Sequence, residues 1–134
     1  MTEIETEDNR IRGFAAIINN VVSPLNYNNQ FKEKFKSVHV KILLNASNVN
    51  FAALIIIHHG EITVKSIPNK PRENLKKEKV GWDGFLEMNS QSFIAISMDR
   101  LPLFKVVIKW IRGEIKMRGI RKLLYLLKAF KYLM

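Results

Sequence analysis

Cysteine is missing from all 134 residues, which excludes disulfide scaffolds, thiolate zinc sites and cysteine nucleophiles. Proline and glycine are sparse, at four and six residues, and no low-complexity tract, internal repeat or linker divides the chain, so a single domain over 1–134 is expected. Long apolar runs are also missing. The longest, Phe51 to Ile57, has seven residues where a membrane span needs about 20, so the chain is not expected to cross a membrane. Residues Met1 to Asp8 are acidic and polar, unlike the basic start and apolar stretch of a signal peptide. They are expected to form a flexible terminus, with cytoplasmic residence as the default.

The fingerprints of common catalysts are absent too: there is no G-x-S-x-G, P-loop or dinucleotide motif. The histidines are His39, His58 and His59. If His58 and His59 lie in a strand they point to opposite faces, a poor geometry for one metal ion, and with Glu61 the stretch reads as a solvated turn. Ser90 and Ser92 read as helix-start residues with no base beside them. No catalytic residue, metal ligand or cofactor is therefore assigned, and the chain is expected not to be an enzyme.

Positive charge is plentiful, with a formal net charge of +10 and a pI of about 10.0. It is unevenly placed. From Lys105 onward there are nine Lys or Arg and one acid, Glu114, whereas the first eight residues hold four acids. Basic residues mixed with aliphatic and aromatic ones suit a phospholipid surface, where stems and rings enter the interface and cationic heads meet phosphates. Nucleic acid is the less supported partner.

Along the chain, Asp8 or Asn9 starts a helix in which Ile11, Phe14, Ala15, Ile18, Val21 and Val22 recur at helical spacing, and Ser23-Pro24 ends it. A short helix is expected over 28–36, with Phe31 and Phe35 on one face and Lys32, Lys34 and Lys36 outward. Val38, Val40, Ile42 and Leu44 alternate with His39 and Lys41 as a half-buried strand, and Asn45 to Asn48 supplies a turn. Phe51 to Ile57 and the alternating Ile62 to Lys65 form a hairpin about Gly60. Pro68 to Lys79 reads as a solvated loop without core residues. Val80 to Met88 reads as a strand with Trp82, Leu86 and Met88 on one side, followed by a helix capped at Asn89 or Ser90 and carrying Phe93.

The last third is the most distinctive. Pro102 to Arg112 reads as an apolar helix capped by Gly113. Gly113 to Gly119 encloses a strand whose Ile115 and Met117 face one side and whose Glu114, Lys116 and Arg118 face the other. The final helix carries an apolar stripe of Leu123, Leu126, Leu127, Phe130 and Leu133, with Arg121, Tyr125, Lys128 and Tyr132 opposite. This order of strand, capped helix, Pro102 turn, helix, Gly113-x-Ile115-x-Met117-x-Gly119 and apolar helix resembles the sterol carrier protein 2 (SCP2) lipid-transfer family over roughly the C-terminal 50 residues. It departs from that family in having Ile120-Arg121 where an acid or amide commonly follows the second glycine. The resemblance implies an α+β (α/β) sandwich, with a mostly antiparallel five-stranded sheet, helices packed on one face, and an apolar tunnel between them.

On that reading the chain is a non-catalytic lipid-binding or lipid-transfer protein for a fatty acyl, isoprenoid or sterol-like ligand. The candidate tunnel walls are Leu103, Phe104, Val107, Ile108 and Ile111 of the penultimate helix. Leu123, Leu124, Leu127 and Phe130 of the last helix face them, backed by Phe93, Ile115 and Met117. All of these residues serve equally well as solid core. Lys122, Lys128 and Lys131 are the candidate contacts to an anionic membrane surface. The alternative is a basic membrane-surface or nucleic-acid-binding protein without an internal ligand. The sequence carries no signal of oligomeric state.

Overall fold

A computed structural model describes residues 13–97, 112–113 and 115–133 of the chain. Helix α1 spans Gly13–Val22 and buries Phe14, Ala15, Ile18 and Val22, the apolar positions spaced for one face. It passes at Ser23-Pro24 into a 3-10 turn, Ser23–Tyr27. Helix α2, Asn29–Lys34, starts where the Asn28 side chain accepts a hydrogen bond from the Phe31 N–H at 2.9 Å. Phe31 and Phe35 turn inward and stack, with ring centroids 4.6 Å apart. The expected flexible acidic terminus, the start of the first helix at Asp8 or Asn9, and the penultimate helix at 102–112 lie outside the described residues, apart from Arg112.

Five strands form one sheet in the order β3-β2-β1-β4-β5: β1 is His39–Ala46, β2 Phe51–His58, β3 Glu61–Pro68, β4 Gly84–Met88 and β5 Lys116–Arg118. All pairings are antiparallel except β1 with β4, which is parallel. The β2–β3 hairpin closes through His59 and Gly60, both at positive φ (51° and 81°), as a two-residue turn of this twist requires. The turn rests on α2: a Cβ at Gly60 would lie 2.6 Å from the Lys32 carbonyl oxygen.

Helices α1, α2, α4 (Ser90–Ser97) and α5 (Ile120–Phe130) bring their apolar side chains into one cluster with the inward residues of the sheet. Glycine lets α5 lie this close. Gly119 sits at φ +66°, and its carbonyl accepts from the N–H groups of Lys122 and Leu123 at 2.9 and 3.1 Å. A Cβ there would collide with the Asp83 carbonyl, and one at Gly84 would lie 3.1 Å from Leu123 Cδ2. Leu123 therefore packs directly on the backbone of β4.

The opposite face corrects three expectations. First, β1 is covered on both sides, because Leu43 joins a second cluster with Ala52, Leu54, Leu75 and Phe85. Second, the stretch from Pro68 to Lys79 is not a coreless loop but part of a segment, residues 69–83, with structure of its own. They fold as a 3-10 turn, Arg72–Leu75, and a short helix α3, Lys77–Val80, and bury Leu75 and Asn69 across the sheet. Third, β4 begins only at Gly84, so Trp82 is outside its alternation. It packs with Phe85 on the outer face, while Leu86 and Met88 face the helices.

Gly119→Ala is expected to destabilise the protein by more than Gly81→Ala. Both positions need positive φ, which costs about 1 kcal/mol for a side chain, but open space surrounds Gly81 (φ +77°) whereas backbone crowds Gly119. Denaturant melts of the two variants check this, and equal losses would contradict the close approach.

Candidate functional site

The inner apolar layer is built where α4, β5 and α5 meet the sheet. Phe93 is buried on α4 with its ring 4.8 Å from that of Phe14. Ile115 is buried just before β5, and Leu123 is buried on α5, while Met117 and Phe130 are half-buried against the same cluster. The structure thus brings together Phe93, Ile115, Met117, Leu123 and Phe130. Leu103, Phe104, Val107, Ile108 and Ile111 lie outside the described residues.

Helix α5 is rotated from the expected orientation. Its buried line is Leu123, Leu126 and Ala129, and Tyr125 and Tyr132, expected on the outside, also lean inward. Both sit edge-on to the Phe35 ring with centroids 6.4 Å away, and Tyr132 is 6.2 Å from Phe31. The Asn28 side chain donates to the Tyr132 carbonyl at 3.2 Å, tying the end of the chain to α2. The cause is that aromatic contact with α2 recruits the two tyrosines, which turns Leu124 and Leu127 away from the sheet. With Ile120 these are 45%, 43% and 44% exposed, a second apolar stripe at helical spacing that the core does not take up.

Charge flanks that stripe on one side. Lys122 and Lys128 each place Nζ 5.8 Å from the Tyr125 ring centre, a cation–π arrangement. Arg121 and Lys131 are exposed. No acid occurs in the sequence after Glu114, so α5 presents an undiluted positive edge beside exposed leucines. Among the described residues no helix is long and apolar enough to cross a membrane.

The chemistry-bearing residues elsewhere form two groups. His39 and His58 pair across β1 and β2 with ring centroids 4.5 Å apart, and His59 lies 3.9 Å from His58. This corrects the expectation that His58 and His59 diverge: His59 sits in the turn at φ 51°, and its Nδ1 lies 3.0 Å from the Lys36 carbonyl oxygen. Desolvation, followed by the neighbouring His59 and His39 and offset by Glu61, lowers the His58 pKa. Among the described residues no group of three or more His, Asp or Glu is arranged to hold a metal ion.

The second group is buried under residues 69–83. Glu87, on the outer side of β4, takes two hydrogen bonds from the Arg72 guanidinium, at 2.8 and 3.1 Å, and one from the Asn45 amide. Lys116 Nζ is 3.6 Å away, and Asn69 donates to Asn45 Oδ1 at 2.9 Å. Sequence reading missed this group and placed Asn45 in a turn. The available signal was a lone acid between Leu86 and Met88 in an otherwise apolar strand. Burial is the largest influence on Glu87 and raises its pKa, but the Arg72 and Asn45 hydrogen bonds and the charges of Arg72 and Lys116 outweigh it, leaving the carboxyl below its ordinary value. The folded protein therefore binds this proton less tightly than the unfolded chain. The resulting stability is present in full above about pH 4.5 and is lost as pH falls through the lower folded value. Melting temperatures between about pH 3 and 6 are expected to vary less steeply in Glu87→Gln than in the native protein; equal slopes would mean that this carboxylate is not held as described.

No protein-family model and no curated protein sequence matches the chain. Solved structures do. The UbiJ-SCP2 ubiquinone synthesis protein is similar with a TM-score of 0.57 and 6% identity, over 90% of this chain and 88% of that one. The stereoselective inverting sec-alkylsulfatase Pisa1 from Pseudomonas sp. and a double mutant of it are similar with TM-scores of 0.52 and 13% identity. They match 75% and 77% of this chain, respectively, and in each case the match spans 14% of the enzyme chain. At these identities the likeness is one of fold, and the fold is SCP2-like: a five-stranded sheet with helices in an α+β arrangement.

Proposed function

We propose that the protein binds a long apolar ligand between the sheet and the helices and carries it without covalent chemistry. The observation that carries this reading is the SCP2-like fold over nine-tenths of the chain, combined with an α5 whose apolar surface exceeds what the core takes up. Phe93, Ile115, Met117, Leu123 and Phe130 supply a dry wall, and Leu103, Phe104, Val107, Ile108 and Ile111 supply the sequence complement. Burial of one CH2 is worth about 0.8 kcal/mol, so a long acyl or isoprenoid chain gains on the order of 10 kcal/mol before ordering costs. Such binding needs no reactive group. An isoprenoid tail is a natural candidate, since one structural neighbour is a ubiquinone synthesis protein.

Mass spectrometry of an organic extract of the purified protein, beside a delipidated sample and an equally basic control, is expected to show a stoichiometric lipid. Met117→Trp fills the layer and is expected to reduce that lipid severalfold while costing about 1–3 kcal/mol or less in stability. Absence of extractable lipid and of binding to added fatty acid or polyprenol would sink the carrier reading.

A membrane role follows from the positive edge of α5, because a carrier must meet a bilayer to load. Lys122, Lys128 and Lys131 are the contacts in this reading, each worth about 1 kcal/mol near an anionic surface. Replacing all three by Ala is expected to slow transfer to phosphatidylserine-containing vesicles with little change in equilibrium lipid affinity. An unchanged transfer rate would remove α5 from the docking step.

A further inference from the structure

The sheet has a second site on the face away from the helices. Residues 69–83 cross that face and leave a cavity of about 360 Å³ lined by Arg72, Glu73, Leu75, Lys76, Trp82, Phe85 and Arg118. Leu75 and Phe85 are buried and form its floor. The wall is fixed: Trp82 Nε1–H donates to the Leu75 carbonyl at 2.9 Å, and the indole lies 5.5 Å from the Phe85 ring. Trp82 is half-buried and lines this cavity, with Lys77 Nζ 5.6 Å from the centre of its ring, so the held indole offers an aromatic contact to a planar apolar body.

The rim carries three cations against one acid. They are not equivalent. The Arg72 fork is occupied by Glu87, while Lys76 and Arg118 are exposed and have no ion-pair partner among the described residues. Arg118 stands directly across the strand pairing from Phe85, so its charge overlooks the aromatic floor. A cation pair above an aromatic wall selects a ligand with an apolar ring and a negative group at one end. The volume lies at the small end for ligand sites and suits a bicyclic ring rather than a long chain.

We infer that this groove binds a small aryl anion, a planar ring lying against Trp82 above the Leu75 and Phe85 floor with its carboxylate or sulfonate between Lys76 and Arg118. It lies on the opposite face of the sheet from the apolar layer and does not depend on lipid binding there. A neighbouring groove across the strap, lined in part by Lys41, Leu54, Ile56, Lys65 and Lys79, has cations but no aromatic wall and serves as the internal control.

The test is titration of the full chain with naphthalene-2-sulfonate, followed by NMR of the Trp82 indole N–H, with Trp110→Phe identifying that resonance. A saturable shift is expected. The uncharged analogue 2-naphthalenemethanol should bind roughly tenfold more weakly, and Lys76→Ala combined with Arg118→Ala should weaken the sulfonate by at least about tenfold. Lys41→Ala with Lys65→Ala should leave it within about twofold. No saturable shift, equal binding of the uncharged analogue, or equal losses from the Lys76/Arg118 and Lys41/Lys65 pairs would overturn the site. So would displacement of the probe by a short oligoribonucleotide at lower concentration, which would make the face a nucleic-acid surface. Because the native protein and two small molecules suffice, the result stands even if a variant folds poorly.

Discussion

The direction of β4 governs the rest of the architecture. β3 and β4 both run parallel to β1, yet β2 and β1 lie between them in the sheet, so the chain must cross a face of the sheet to reach its place. The inner face is filled by α1, α2 and α5. The crossing therefore runs along the outer face, and it brings Asn69, Leu75, Trp82 and the Arg72 fork with it. Asp83 ends the crossing by pinning β4 to β1: its N–H donates to the Lys41 carbonyl at 2.7 Å, and its carboxylate accepts from the Lys41 N–H at 2.9 Å. One parallel pairing thus gives the sheet two covered faces of different chemistry.

That division explains what sequence alone conveyed. Elements with an uncontested period were legible: the α1 stripe, the Phe31 and Phe35 pair, the hairpin at Gly60, the helix start at Asn89 or Ser90, where the Asn89 side chain accepts from the Ser92 N–H at 2.8 Å, and the strand between Gly113 and Gly119. The misreadings share a cause, a neighbour that no local pattern discloses. Leu75 looks isolated in a charged stretch, and only the crossing supplies its partners Phe85 and Leu43. Trp82 fits the alternation of β4 on paper, but the strand starts two residues later. On α5, hydropathy places Leu127 inside and Tyr125 outside, whereas the rings of Phe31 and Phe35 favour the tyrosines and leave Leu124 and Leu127 exposed. The burial of Phe93, Ile115 and Leu123 in the inner cluster was legible because strand and helix periods both point there.

The two faces also divide the proposed chemistry. The inner one offers dispersion and dry burial without directional partners, which suits long flexible chains of many kinds. The outer one offers a fixed indole and separated cations, which discriminate by shape and charge. Positive charge serves both: at α5 it flanks exposed leucines, and at Lys76 and Arg118 it borders an aromatic floor.

Asn26 belongs to neither site, yet its side-chain amide both donates to the Ile62 carbonyl at 2.9 Å and accepts from the Ile62 N–H at 2.8 Å. It thereby imitates a neighbouring strand at the outer edge of β3, and Pro68 at the far end of that strand has no N–H to offer. An eight-residue edge rich in β-branched residues is a template for sheet extension by another chain. Here a single amide occupies both backbone groups of Ile62 near one end and a proline removes a donor at the other, so an incoming strand would find the two ends of this edge already closed to pairing.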